Sequence, residues 1–524
     1  MGTVRNILFV MCDQLRADHL GCTGHPTIRT PNIDALARRG VRFTNAYCQA
    51  PVCGPSRMSF YTGRYMMCHG AHYNDVPLRA DEWTIGDYLR PLGLRVGLVG
   101  KTHFAVDREG FARLGVDPAS PAGKLAAECG FEAWERDDGL HPDQAARPDL
   151  AYNRYLRAQG YVGDNPWHSV ANSAAGANGA LSSGWEMRHA DLPALVDRAH
   201  SETAYMTDRA MATIAELGDT PWLLHLSYIK PHWPYMAPAP YHALYAGSEL
   251  PPANRTARER TEPHPVVGAF MQHDESQAFA RDEVRARVVP TYMGLVTEID
   301  DHIGRLMGFL EGQGRLADTL ILFTSDHGDY LGDHWLGEKE LFHEESARIP
   351  LIVRDPDPAA DRSRGAEIAA LVESIDLLPT FLDLLGGAPG HQRLEGRSLL
   401  PFLRGAPSSD WRDAAFSELD YAWRRARLIL GRQPDEARAV MIRTGRWKYV
   451  SYDGFPPQLF DLVNDPVEQE DLGRSPSHAA LRRELEERIA EWARHRRLRT
   501  TVGEETIARR TDTARQRGML FGQW

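Results

Sequence analysis

Five short apolar runs, each bounded by turn or polar residues, recur along the chain at residues 7–12, 95–99, 222–227, 319–324 and 350–353. Runs that are apolar with little alternation suit parallel strands covered on both faces. Between them lie stretches with apolar residues at helical spacing, at 32–40, 83–92, 201–217, 291–310 and 374–385. The alternation predicts an α/β fold, a doubly wound, mostly parallel sheet flanked by helices. In such sheets ligands gather outside the carboxyl ends of the strands. The residues after these runs are chemically rich: Asp13 after the first, Lys101 and His103 after the second, His232 after the third, Asp326 and His327 after the fourth. A single site gathering them all is the expectation.

The pattern changes near residue 407. Residues 414–419, 440–443 and 447–452 read as short antiparallel strands, with a turn at Thr444-Gly445-Arg446. Residues 481–495 read as an amphipathic helix dense in Arg and Glu, expected on the solvated surface. Residues 1–406 are therefore read as a catalytic α/β domain and 407–524 as a smaller C-terminal α+β subdomain. Segments at about 148–187 and 251–275 read as insertions or lids, expected to supply the pocket walls. The ending Met519-Leu520-Phe521-Gly522-Gln523-Trp524 is too apolar for a plain solvated tail, and is read as docking on a neighbouring subunit. A homo-oligomer, dimer or tetramer, is the expected assembly.

With 524 residues the chain can bury a large core and hold more than one domain. Its net charge of −11 leaves no basic surplus to neutralise a phosphate backbone, which argues against nucleic acid as a partner. No window reaches the length of a membrane span, and the run at 7–12 is too short for the core of a signal peptide, so a soluble cytoplasmic protein with no membrane partner is expected. The six cysteines, at 12, 22, 48, 53, 68 and 129, all fall in the first quarter and read as reduced thiols rather than a disulfide framework.

The most informative stretch is Cys53-Gly54-Pro55-Ser56-Arg57-Met58-Ser59-Phe60-Tyr61-Thr62-Gly63-Arg64. Pro55 suits the first position of a helix, with Gly54 as its cap and Cys53 just ahead of it. Free N–H groups and the helix dipole favour an anion there, and Arg57 adds a donor fork. A lone cysteine is more often an inert packed thiol, but these neighbours reverse that prior. The stretch resembles the signature in which a sulfatase-family cysteine is oxidised to formylglycine. It points to the arylsulfatase, choline sulfatase and phosphonate monoester hydrolase group of the alkaline-phosphatase superfamily.

That resemblance implies a site. Asp13-Gln14 and Asp326-His327, with Cys53, resemble the family's divalent-metal site; calcium is the expected cation, and the His327 imidazole would also admit manganese or zinc. Gly100-Lys101-Thr102-His103 resembles a segment in which Lys101 bridges formylglycine and sulfate while His103 takes a proton from the covalent intermediate. Lys230-Pro231-His232-Trp233-Pro234 resembles a turn that sets His232 beside the leaving oxygen as proton donor, and Gly337-Glu338-Lys339 one that sets Lys339 against the sulfate. Asn74 resembles an asparagine that phosphonate monoester hydrolases use on substrate oxygens, with His72 and Tyr73 expected to face the pocket. Gln14 is what phosphonate monoester hydrolases and choline sulfatases carry where sulfatases commonly have Asp, whereas the Lys101 and His103 pair points back towards sulfate. The implied activity is hydrolysis of small sulfate monoesters, arylsulfatase-like, by double displacement at a formylglycine that a generating enzyme installs. A phosphonate monoester or phosphodiester hydrolase, or a non-catalytic binder of sulfated ligands, are the alternatives.

Overall fold

A computed structural model describes residues 4–147, 149–176, 179–511, 513 and 517. Eight strands form the main sheet: β1 (Asn6–Asp13), β2 (Val41–Tyr47), β3 (Arg95–Gly100), β4 (Glu132–Arg136), β5 (Trp222–Pro231), β6 (Thr319–Ser325), β7 (Arg348–Arg354) and β8 (Ala366–Glu373). Their spatial order is β8-β2-β7-β6-β1-β5-β3-β4. The interior strand β1 is parallel to both β6 and β5. Along it Leu8, Val10 and Cys12 face one core while Ile7, Phe9 and Met11 face the other, so an unbroken apolar run is what two covered faces require.

The fifth apolar run does not become a parallel strand. β7 pairs antiparallel with both β6 and β2. No crossover carries the chain back across the sheet after β6: residues 326–347 stay at the carboxyl end, where they build the site, so the chain re-enters from that same end. Strands β2, β4 and β8 lie outside the expected set; β4 and β8 are sheet edges, and their side chains are mostly only half-buried.

Helices α1 (Pro31–Arg39), α2 (Cys53–Thr62), α3 (Glu202–Leu217), α4 (Asp282–Gly312) and α5 (Leu377–Leu384) flank the sheet. α4 runs 31 residues with Pro290 inside it, well before the expected start. α2 starts at Cys53, with Val52 rather than Gly54 at the N-cap. Pro55 is tolerated at the third position because the first N–H groups of a helix have no partner within it.

In the C-terminal part a four-stranded antiparallel sheet runs β9 (Ala414–Asp420), β10 (Arg438–Thr444), β11 (Trp447–Tyr452) and β12 (Gln458–Asp461). Helix α6 (Ala479–Arg494) is not simply solvated: Leu485, Ile489 and Trp492 pack on this sheet, with Trp492 stacked on Phe416 at 4.7 Å. Lys448 pins the sheet to the main body through Glu344 at 2.8 Å and the Phe342 carbonyl at 2.7 Å. All six cysteines are free. Residues 519–524, read as a docking tail, lie outside the described residues, as do 148, 177 and 178 of the first insertion. No helix among the described residues is long and apolar enough to cross a membrane.

Candidate active site

Asp13, Cys53, Asp326 and His327 converge with their ligand atoms all within 4.8 Å of one another, every one buried. The strand order explains this: β1 and β6 are neighbours, so their last residues meet, and α2 enters over both. His327 Nδ1 donates to the Gly328 carbonyl at 2.9 Å, and Nε2 faces the site 3.2 Å from Cys53 Sγ. Gln14 adopts φ 65°. Its side-chain amide Nε2 donates to Asp329 at 2.6 Å, which turns Oε1 inward to accept from Lys339 at 3.1 Å. Two carboxylates, an imidazole nitrogen and an inward amide oxygen form a donor set that fits a divalent cation.

Arg57 does not offer its fork to an anion. It is fully buried and donates from Nε to Asp326 at 2.8 Å, from Nη2 to Asp13 at 2.9 Å, and from Nη1 to the Lys101 carbonyl at 2.8 Å and Ser227 Oγ at 2.7 Å. Every direction of the guanidinium is spent on holding other site residues. Lys101 Nζ sits 2.8 Å from the same Asp13 oxygen as Arg57. Burial and the Cys53 thiolate push Asp13 up, but its cationic neighbours, Lys101 foremost and then Arg57, outweigh them and hold it well below the usual carboxylate range.

Cys53 is singular among the thiols. Burial raises Cys12, Cys48 and Cys129 and takes Cys22 up to about 12. Burial acts on Cys53 too, yet Lys339, Lys101 and His327, with a hydrogen bond from His103, pull it well below an ordinary thiol. The site is built to hold negative charge at this side chain.

The turn after β3 shows how the backbone sets this geometry. Gly100 has φ +112°, and a Cβ there would lie 2.0 Å from the Ser227 carbonyl. His103, at φ 53°, is held by Asp138, which accepts the N–H groups of Thr102 and His103, both at 2.9 Å. Asp138 and Asp329 escape motif reading; Asp138 follows β4, an edge strand without an apolar run.

His232, expected as a proton donor, meets Lys339 through its Nε2. Its Nδ1 donates to the Trp233 carbonyl at 2.7 Å and its Nε2 accepts from Lys339 at 3.0 Å. Burial, then Lys339, pushes its pKa down to about 3, against the pull of Asp13. Lys339 carries the proton there.

A cavity of about 1210 Å³ opens over His103, His232 and Lys339. Asn74 and Tyr73 line it; Asn74 Oδ1 accepts the Gly54 N–H at 2.8 Å, and the Tyr73 hydroxyl donates to Glu340 at 2.9 Å. His72 is not among the lining residues, and its charged neighbours are Asp420 and Arg438 of the C-terminal part. Of the two insertions, Trp185, Glu186 and Met187 come from the first and Asp274 and Glu275 from the second. The C-terminal part adds Arg424, a wall residue that sequence reading assigned to no pocket.

Residues 5–388 match the family described as Sulfatase, and residues 332–495 that described as N-sulphoglucosamine sulphohydrolase, C-terminal. The chain is 34% identical over 530 residues to the multifunctional alkaline phosphatase superfamily protein PehA of Trinickia caryophylli, covering 94% of this chain and 95% of that one. It is 29% identical over 499 residues to choline-sulfatase of Rhizobium meliloti, covering 93% and 86%. The fold is similar to the solved phosphonate monoester hydrolase SpPMH from Silicibacter pomeroyi, with a TM-score of 0.82, 31% identity and coverage of 96% and 98%.

Proposed function

The chain belongs to the sulfatase family, and on that premise we propose that it hydrolyses small sulfate monoesters with a hydroxyl of the hydrated formylglycine at position 53 as nucleophile. The observation that supports this reading best is the convergence of the Lys101 and Lys339 ammonium groups on the Cys53 side chain, with His103 hydrogen-bonded to it. Asp13, Gln14, Asp326 and His327 would hold the divalent cation, which when bound draws charge from the oxygens of the transferring group. Arg57 keeps the two carboxylates in place. Lys101 and Lys339 stabilise charge on the transferring group, and His103 takes the proton as position 53 returns to the aldehyde. Lys339 and His232, hydrogen-bonded to each other at 3.0 Å, stand beside the leaving oxygen, and this pair supplies its proton.

A second reading, phosphonate monoester hydrolysis, is favoured by the neutral Gln14 ligand and by the likeness to the Silicibacter pomeroyi structure. The test is kcat/KM on an aryl sulfate against an aryl phosphonate monoester of the same phenol. A sulfate preference is expected; a phosphonate preference of about tenfold, ~1.4 kcal/mol of transition-state discrimination, reverses the ranking.

A further inference from the structure

The cavity wall carries one carboxylate that forms no ion pair among the described residues. Its other carboxylates are held by arginines: Glu340 by Arg424 at 2.9 Å, Glu275 by the same Arg424, Glu186 by Arg188, Glu283 by Arg281 at 3.5 Å, and Asp274 by Arg425 at 3.9 Å. Glu338 lines the same wall, and among the described residues its carboxylate makes no hydrogen bond and no ion pair. Burial pushes it up to about 7, against the pull of the adjacent Lys339 and the more distant Arg424 and with further pushes from Glu275 and Glu340. The Lys339 ammonium is already engaged with Gln14 at 3.1 Å and His232 at 3.0 Å.

Glu338 directly precedes the lysine that meets the leaving oxygen in the reading above. On the other side of that lysine, His232 stacks on Trp233 with ring centroids 5.2 Å apart, and Trp233 packs edge-on against Trp185 at 5.1 Å. Trp185 and Trp233 line the same cavity. The carbon skeleton of the departing alcohol therefore enters a space with an indole wall and a bare carboxylate. Aromatic faces attract cations, and a desolvated carboxylate is costly without a partner.

We propose that Glu338 determines specificity by receiving a protonated amine borne on the leaving alcohol, the substrate supplying the cation that arginines supply to the other wall carboxylates. This rests on the sulfate-ester reading of the site, and makes sulfate monoesters of amine-bearing, preferably aromatic, alcohols the substrate class. No bond is made or broken at Glu338.

The test compares 4-(2-aminoethyl)phenyl sulfate with 4-propylphenyl sulfate, near-isosteres whose phenols leave similarly. Wild-type kcat/KM for the ammonium ester should exceed that for the propyl ester by at least about tenfold, ~1.4 kcal/mol, and in Glu338→Gln the ratio should fall to about one. The ratio is read within each enzyme, so a general loss of activity cancels. Equal rates in the wild type, or a ratio that survives in Glu338→Gln, overturns the proposal. Calorimetric binding of the two free phenols gives the same ratio without turnover. Hydrolysis of the phenylphosphonate esters of these phenols but not of the sulfates would sink the sulfate reading, and the ratio is then read on the phosphonates.

Discussion

Replacing Arg57 with methionine separates two roles for the same residue. The side chain is fully buried and gives four hydrogen bonds of 2.7 to 2.9 Å, two of them to the carboxylates that form the cation site. Methionine fills much of the aliphatic volume but leaves Asp13 and Asp326 without their shared counter-charge. Removing one partner of a buried ion pair costs ~3–5 kcal/mol. Lys101 remains 2.8 Å from Asp13, so the lower end, about 3 kcal/mol, is expected. At ~2.1 cal/mol/K of unfolding entropy per residue, a cooperative unit of 524 residues carries ~1.1 kcal/mol/K, and Tm falls by only about 3 °C. The sharper readout is metal affinity, which drops ~10–100-fold when groups that orient ligands are removed. Calorimetric metal titration and scanning calorimetry in excess metal measure the two effects, and both kcat and metal occupancy should fall together. An Arg57→Met enzyme with wild-type metal affinity and Tm but a raised KM would refute this reasoning, because it would mean the guanidinium serves the substrate anion.

Cys53 has no exposed surface, so a modifying enzyme must reach it before the chain folds; mass spectrometry should find formylglycine in protein co-expressed with that enzyme and unmodified thiol when the enzyme is added to folded protein. Cys53→Ala should lose at least about 10³-fold in kcat, and fully active protein carrying only thiol would contradict the assignment. A pH effect away from the site is expected at His334, which lies 2.6 Å from Glu259 and 3.4 Å from Glu345. Burial disfavours its cation, yet Glu345 and Glu259 outweigh burial and push it up to about 10. A raised pKa stabilises the fold fully below about 6.5, the unfolded value, and that contribution disappears as pH rises towards about 10. Denaturation of wild type and His334→Gln should therefore differ most below about pH 6.5, by a few kcal/mol, and converge in the alkaline range; a gap independent of pH would show that His334 is not charged in the folded state.

The sequence by itself determined the central strands and the chemical inventory. β1, β3, β5 and β6 were legible because burial on both faces demands a local apolar run, and the residues after them were legible because a strand end is also a local feature. The motif around Cys53 named the reaction class for the same reason: its residue types are contiguous. Tertiary structure alone decided what each side chain touches. Edge strand β4 carries no such run, and pairing with β3 makes it a strand. Arg57 meets Asp326 across 269 positions of chain, so its role as a clamp rather than a substrate fork follows from β1 and β6 lying side by side. The contact of His232 with Lys339, the inward turn of Gln14 and the unpaired Glu338 arise likewise from neighbours remote in sequence. Hydrophobic burial is encoded position by position, whereas hydrogen bonds and ion pairs depend on which donor and acceptor the packed elements bring together.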